Sequence, residues 1–138
     1  MLSCQGESAQ GGIDLNFAAH IRERDFAVQT VAEHSTETAQ SAGEFAKKFG
    51  LENMAELCGF LHDMGKWTQE FDRYLHRVVI DRERVAPYID HSTAGARYLY
   101  ERYYIHPEGK RLNSEQLAQN LVVEIVGMAI LSHHTGLQ

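Results

Sequence analysis

The chain has 138 residues, with 13 Lys plus Arg against 19 Asp plus Glu, a formal charge of −6 at pH 7; at 43% hydrophobic and 23% charged it reads as one globular domain with an ordinary buried core. The longest apolar run, from Leu121 to Leu131, is interrupted by Glu124 and falls short of the about 20 apolar residues of a spanning helix. No basic start with an apolar core marks a secretory leader, and Cys4 and Cys58 form no CxxC pair, so no disulfide framework, structural zinc site or membrane partner is expected, and a cytoplasmic location is.

Residues 1–12 read as a flexible tail of small and polar residues, with the domain expected over residues 13–138. From there the pattern is helical. Ala39, Ala42, Ala46 and Phe49 stand three or four apart with Phe45 beside them, and Gly50 supplies a stop. Met54, Leu57, Cys58 and Leu61 form a second stripe that ends near Gly65, and Trp67, Phe71, Tyr74, Leu75 and Val78 form a third. A charged loop follows from Asp81 to Pro87. A fourth helix is expected from about His91 to Tyr104, capped by Asp90 or Ser92. After a loop over His106–Asn113, a fifth begins with Asn113 as cap and Gln116 in the capping-box position; its stripe is Leu117, Leu121, Ile125, Met128 and Ala129. No long stretch alternates with period two, so the predicted class is all-α.

Eight histidines are many for this length, and their company matters more than their number. His62-Asp63 closes one apolar helix and His133-His134 closes another, while His34 and His91 lie near predicted helices. Isolated histidines such as His20, His76 and His106 read as surface residues. Imidazole with carboxylate suits first-row transition metals: Mn, Fe, Co, Ni or Zn. Adjacent side chains on a helix diverge by about 100°, so a pair such as His62-Asp63 can reach one centre from two sides, or two neighbouring centres. Two cations roughly 3.5–4 Å apart can polarise a phosphodiester, generate hydroxide and stabilise the leaving oxygen. One carboxylate usually bridges them, and Asp63, with histidines before and after it, is the obvious candidate. Lys66 stands three residues after Asp63, which on a continuing helix brings its ammonium beside the ligands to hold a phosphate oxygen. A solvated lysine at a helix C-terminus is the simpler alternative.

The order His34, His62-Asp63-Met64-Gly65-Lys66, His91-Ser92-Thr93-Ala94-Gly95-Ala96, His133-His134-Thr135-Gly136 resembles the HD metallohydrolase superfamily. More narrowly, it resembles the HD nuclease domain of the CRISPR-associated nuclease–helicase of type I systems. Ala19-His20-Ile21-Arg22, Glu33-His34 and Phe71-Asp72-Arg73-Tyr74-Leu75 add to the resemblance, which covers the chain from about Phe17 onward. It implies a helical bundle of about five or six helices with a dinuclear metal centre. The activity implied is cleavage of single-stranded DNA, unwound by a helicase in the same or a separate chain from the R-loop of an RNA-guided surveillance complex. By motif, His34, His62 and Asp63 would hold one metal, and Asp63, His91, His133 and His134 the other. Lys66 would orient the phosphate. Ser92 would sit behind the metal ligands, or cap a helix.

The family pattern carries a further aspartate on a helix well after the His-His pair, whereas four residues, none acidic, follow His134. On that ground the chain resembles the N-terminal part of the family domain. Two metals are expected in an intact centre and one where the ligand is lacking, and absent C-terminal helices would expose apolar surface that favours self-association.

Strand binding would go through the DNA backbone and stacked bases, with little sequence preference. Residues 66–111, with nine basic against seven acidic side chains, are the only net-positive part of the chain. Arg73, Arg77, Arg82 and Arg84 are the candidate contacts, with Tyr74 to stack on a base; a solvated helix face with Tyr74 in the core accounts for the same residues.

Two other readings compete. An HD phosphohydrolase acting on a nucleotide or cyclic nucleotide shares the His-Asp motif, and some cyclic-dinucleotide phosphodiesterases share the His-His pair. Those continue with a glutamate and a Gly-Tyr-Pro block where this chain has Thr135-Gly136-Leu137-Gln138. The third reading is an inactive metal-binding or interaction fragment.

Overall fold

The computed structural model describes residues 17–84 and 89–134. The proposed tail, the Val85–Pro87 end of the charged loop and the Thr135-Gly136 part of the last motif lie outside the described residues. A short antiparallel hairpin comes first, β1 (Ala18–Ile21) paired with β2 (Val28–Thr30). Five helices follow: α1 (Val31–Ala46), α2 (Glu52–Leu61), α3 (Gln69–Val79), α4 (Ala94–Tyr103) and α5 (Ser114–Ser132). The all-α class holds. The hairpin is the departure: strands of four and three residues are too short to register as alternation.

Helix ends follow local chemistry. Thr30 accepts from the Glu33 N–H, and the Glu33 carboxylate takes the Thr30 N–H in return, a full capping box for α1. Asn113 and Gln116 make the predicted box for α5. Gly50, at φ 70°, ends the 3-10 turn that follows α1. Helix α2 stops at Leu61, ahead of the expected Gly65, and a 3-10 turn over Met64–Lys66 leads to Thr68, which caps α3.

The fourth helix begins at Ala94, three residues later than expected. The Asp90 carboxylate accepts from the Ser92 N–H and from the hydroxyls of Ser92 and Thr93, which folds residues 90–93 into a turn and keeps His91 off the helix. Thr93, not Asp90 or Ser92, stands at the cap position, with no side-chain capping bond.

Two predicted faces are corrected. Leu61, Ala96, Leu99, Val123, Val126 and Ile130 form the core, with Met54, Cys58, Met64 and Tyr104 packed against it. On α5 the inward residues are therefore Val123, Val126, Gly127 and Ile130, whereas Leu117, Leu121, Ile125 and Met128 are half or more exposed. The helix is apolar on most of its circumference, so spacing alone does not select a face. Buried Asn120 does: its amide donates to the Ile105 carbonyl and accepts from the Ile105 N–H, both at 2.8 Å.

On α1, Val31, Ser35 and Gly43 are buried and the three alanines half-buried, but Phe45, and Phe49 in the 3-10 turn after it, are exposed. Helices α1 and α2 touch backbone to backbone here: a Cβ on Gly59 would lie 2.8 Å from the Ala39 Cα. The third stripe holds, with Phe71 buried and Trp67, Tyr74, Leu75 and Val78 half-buried.

Candidate metal centre

Asp63 lies at the middle of the site. His62 keeps helical angles as the cap that follows Leu61 at the end of α2, and its N–H bonds the Cys58 carbonyl. Asp63 turns away at φ −109°. The pair therefore straddles a helix end, with the carboxylate aimed inward and 3% exposed.

Each carboxylate oxygen faces its own set of histidines. Oδ2 lies 3.1 Å from His34 Nε2 and 3.1 Å from His62 Nε2, and those two nitrogens are 3.1 Å apart. Oδ1 lies 3.4 Å from His133 Nε2, 3.8 Å from His91 Nε2 and 4.0 Å from His134 Nε2. His91 Nε2 and His134 Nε2 stand 2.9 Å apart. The structure thus brings together residues from α1, the end of α2, the turn before α4 and the end of α5.

Second partners aim the rings. Nδ1 of His62 donates to the Gly59 carbonyl at 2.7 Å, Nδ1 of His133 to the Ile130 carbonyl at 2.5 Å, and Nδ1 of His91 to the Ile89 carbonyl at 3.2 Å. A carbonyl can only accept, so Nδ1 carries a proton and Nε2 is the nitrogen turned inward, the one that would ligate a metal in the neutral ring.

Two glycines make the convergence possible. A Cβ on Gly95 would lie 2.1 Å from the Leu61 carbonyl oxygen, so only glycine lets the start of α4 abut the end of α2. A Cβ on Gly65 would lie 2.5 Å from the His91 Cα. The glycines of both motifs therefore serve approach, with ordinary backbone angles.

The electrostatics favour a cation. Burial alone would raise the Asp63 pKa, but hydrogen bonds from His62 and Lys66 and the Lys66 charge outweigh it and hold the carboxyl well below the usual carboxylate range. Burial lowers His34, and burial with neighbouring His133 and His91 lowers His134, which keeps both imidazoles in the neutral, ligating form. His62 is raised: burial opposes its charge, but its bonds to Asp63 and the Gly59 carbonyl prevail. The geometry that draws a proton to that nitrogen draws a metal ion equally.

These residues fit divalent metal. Among the described residues Asp63 Oδ1 is buried without a hydrogen-bond partner, a costly state that a cation would relieve. Ligands about 2.0–2.2 Å from one tetrahedral ion stand about 3.3–3.6 Å from each other, and the 3.1 Å triangle of His34, His62 and Asp63 needs only tenths of an ångström of adjustment.

The HD domain family model matches residues 31–138, more than three-quarters of the chain. The chain belongs to the HD domain family. Neither a curated protein nor a solved structure matches it significantly. The HD domain places it among metal-dependent hydrolases, and the His/Asp cluster is where a divalent metal would bind.

The remaining candidates of this HD domain fall at varied distances from the cluster. Lys66 is buried, not the solvated terminal lysine of the simpler alternative: its Nζ donates to Asp63 Oδ2 at 2.9 Å and to the Ala19 carbonyl at 3.3 Å. The Ser92 hydroxyl is given to Asp90, so it orders the turn that carries His91. Arg73 and Arg77 lie on the exposed face of α3, where Arg73 donates to Gln69 and Arg77 pairs with Glu83 at 2.6 Å. Arg82 and Arg84 are exposed in the segment beyond. Tyr74 is half-buried, its ring 5.9 Å from that of Phe71. His76 and His106 are exposed and outside the cluster.

His20, read from the sequence as a surface residue, lies beside His34 with ring centroids 4.7 Å apart. An isolated histidine gives no spacing signal; only its place on β1 brings it here.

Proposed function

We propose that this HD domain is a divalent-metal-dependent phosphodiesterase that cuts single-stranded DNA, as the resemblance to the type I CRISPR-associated nuclease implies. The observation that carries the reading is the division of Asp63: two oxygens, each turned to a separate group of histidines. His34, His62 and Asp63 would hold one metal, and Asp63, His91, His133 and His134 the other.

Divalent metals in such a pair supply electrophilic polarisation of a phosphodiester and a nucleophile drawn from water near neutral pH. The chain's own residues do the rest. Asp63 would offer one oxygen to each position and lower their combined charge. Lys66 gives two of its three ammonium protons to Asp63 and Ala19, and the third reaches a phosphate oxygen at the floor of the site. The α3 arginines steer the strand by backbone charge alone, with little sequence preference. A helicase, in this chain or another, delivers the strand from a surveillance complex, which offsets the net charge of −6.

The test is metal content by elemental mass spectrometry after loading with Mn, Fe, Co, Ni or Zn, followed by cleavage of labelled single-stranded DNA. Two metals per chain, lost in Asp63→Ala, with DNA cut only by the loaded wild type, is the expected result. Turnover of nucleotides or cyclic nucleotides with intact DNA would move the assignment to a small-molecule phosphohydrolase. Metal binding without hydrolysis of any phosphodiester would make it a binding module.

A further inference from the structure

Asp63 is the only carboxylate in the candidate ligand groups among the described residues, and on its Oδ2 side it faces His34 and His62. Its Oδ1 side faces three imidazoles. We propose that His20 is a further protein ligand on the Oδ2 side, and that the β1–β2 hairpin is the element that delivers it. The proposal rests on the metal-centre reading above and adds a residue that neither motif spacing nor helix periodicity singles out.

Geometry is the first argument. The ligating atoms of His20, His34 and Asp63 all lie within 4.8 Å of one another. The His20 and His34 rings meet edge to face at 78°, so they converge without stacking face to face.

The second argument is how firmly the strand is held. The Ala18 N–H donates to Asp72 Oδ1 at 3.0 Å, Val31 N–H to the Phe17 carbonyl at 2.7 Å, and Lys66 Nζ to the Ala19 carbonyl. Ala18 and Ala19 are each 1% exposed. Three different elements therefore fix the backbone just before an exposed imidazole, and the pairing of Ile21 with Val28 holds it just after, more constraint than a solvated histidine needs. Lys66 links the strand directly to Asp63.

The third argument is the break in strand register between Ala18 and His20. A bulge re-aims the side chain that follows it, and such irregularities collect beside functional sites. Here Ala19 and Ile21 turn into the protein while His20 emerges next to His34.

The consequence is a centre in which each oxygen of Asp63 meets three imidazoles. Nitrogen-rich ligation disfavours magnesium and calcium, which take oxygen ligands, and suits Mn, Fe, Co, Ni or Zn.

The experiment titrates the full chain with Mn²⁺ and with Co²⁺, reading stoichiometry by elemental analysis and coordination by the visible absorption of cobalt. Variants are His20→Ala, His20→Gln, His91→Ala and Asp63→Ala, each checked for helix content by circular dichroism. His20→Ala and His20→Gln are expected to lose one of two metals, or to weaken one by at least about tenfold, with a changed cobalt spectrum. His91→Ala should weaken the other metal. Wild-type stoichiometry, affinity and cobalt spectrum in whichever His20 variants fold would overturn the His20 assignment while Asp63→Ala still upheld the centre. No metal in the wild type would remove the centre and His20's role with it.

Discussion

At the scale of single residues, the centre depends on one acid and one base buried side by side. Asp63 and Lys66 are 3% and 5% exposed, and each meets the other's opposite charge at 2.9 Å out of water. Asp63 has two further obligations, one for each oxygen, so its replacement removes the centre. Lys66 has a narrower part. Lys66→Met is expected to keep the wild-type metal content and to lower DNA turnover by about 10²-fold or more, the usual cost of one preorganised charge at a reacting phosphate. Metal analysis beside single-turnover cleavage separates the outcomes: lost metal would make Lys66 a support for Asp63 alone.

At the scale of elements, the site is a meeting of ends. The C-termini of α2 and α5, the turn before α4, the first turns of α1 and the edge of β1 each bring one or two side chains. Glycine permits the closest of these meetings. Gly95→Ala would place a methyl group 2.1 Å from the Leu61 carbonyl oxygen, and backbone cannot yield as a side chain does. A loss of about 2–3 kcal/mol or more in urea unfolding is expected, with weaker metal binding because His62 and Asp63 follow directly on Leu61. Gly50→Ala, at an open position with φ 70°, is the contrast: it should cost about 1 kcal/mol through strain alone and leave metal affinity unchanged.

For the whole molecule, metal and fold are coupled, because the ligands come from segments up to 100 residues apart in a chain of 138. Metal that binds only the assembled site stabilises it by about 2.7 kcal/mol at a hundredfold excess over Kd. For a domain of this size that corresponds to a rise in Tm of roughly 5–10 °C. Scanning calorimetry with and without Mn²⁺ should show the rise in wild type and none in Asp63→Ala. Stability also has an exposed side: Leu117, Leu121, Ile125 and Met128 leave an apolar stripe along α5, the kind of surface that promotes association.

The sequence by itself determined the helical class, the Asn113–Gln116 and Gly50 boundaries, and the residue types of a metal centre. Those signals are local: a cap, a stop or a His-Asp pair acts within a turn of chain. The inward face of α5 was not legible, because apolar residues ring that helix and the decision rests on Asn120 reaching Ile105 across a loop. His91 was placed on a helix because its spacing allowed it, while the Asp90 side chain holds it off. Phe45 and Phe49 fall in the apolar spacing of the first stripe, yet both are exposed, and small residues, Gly59 against Ala39, make the α1–α2 contact instead. His20 stood in a segment that adds to the family resemblance, yet nothing in its spacing marked it as a neighbour of His34. Which histidines share Asp63 is a matter of distance between remote segments, and only tertiary packing, with the small residues that allow it, sets those distances.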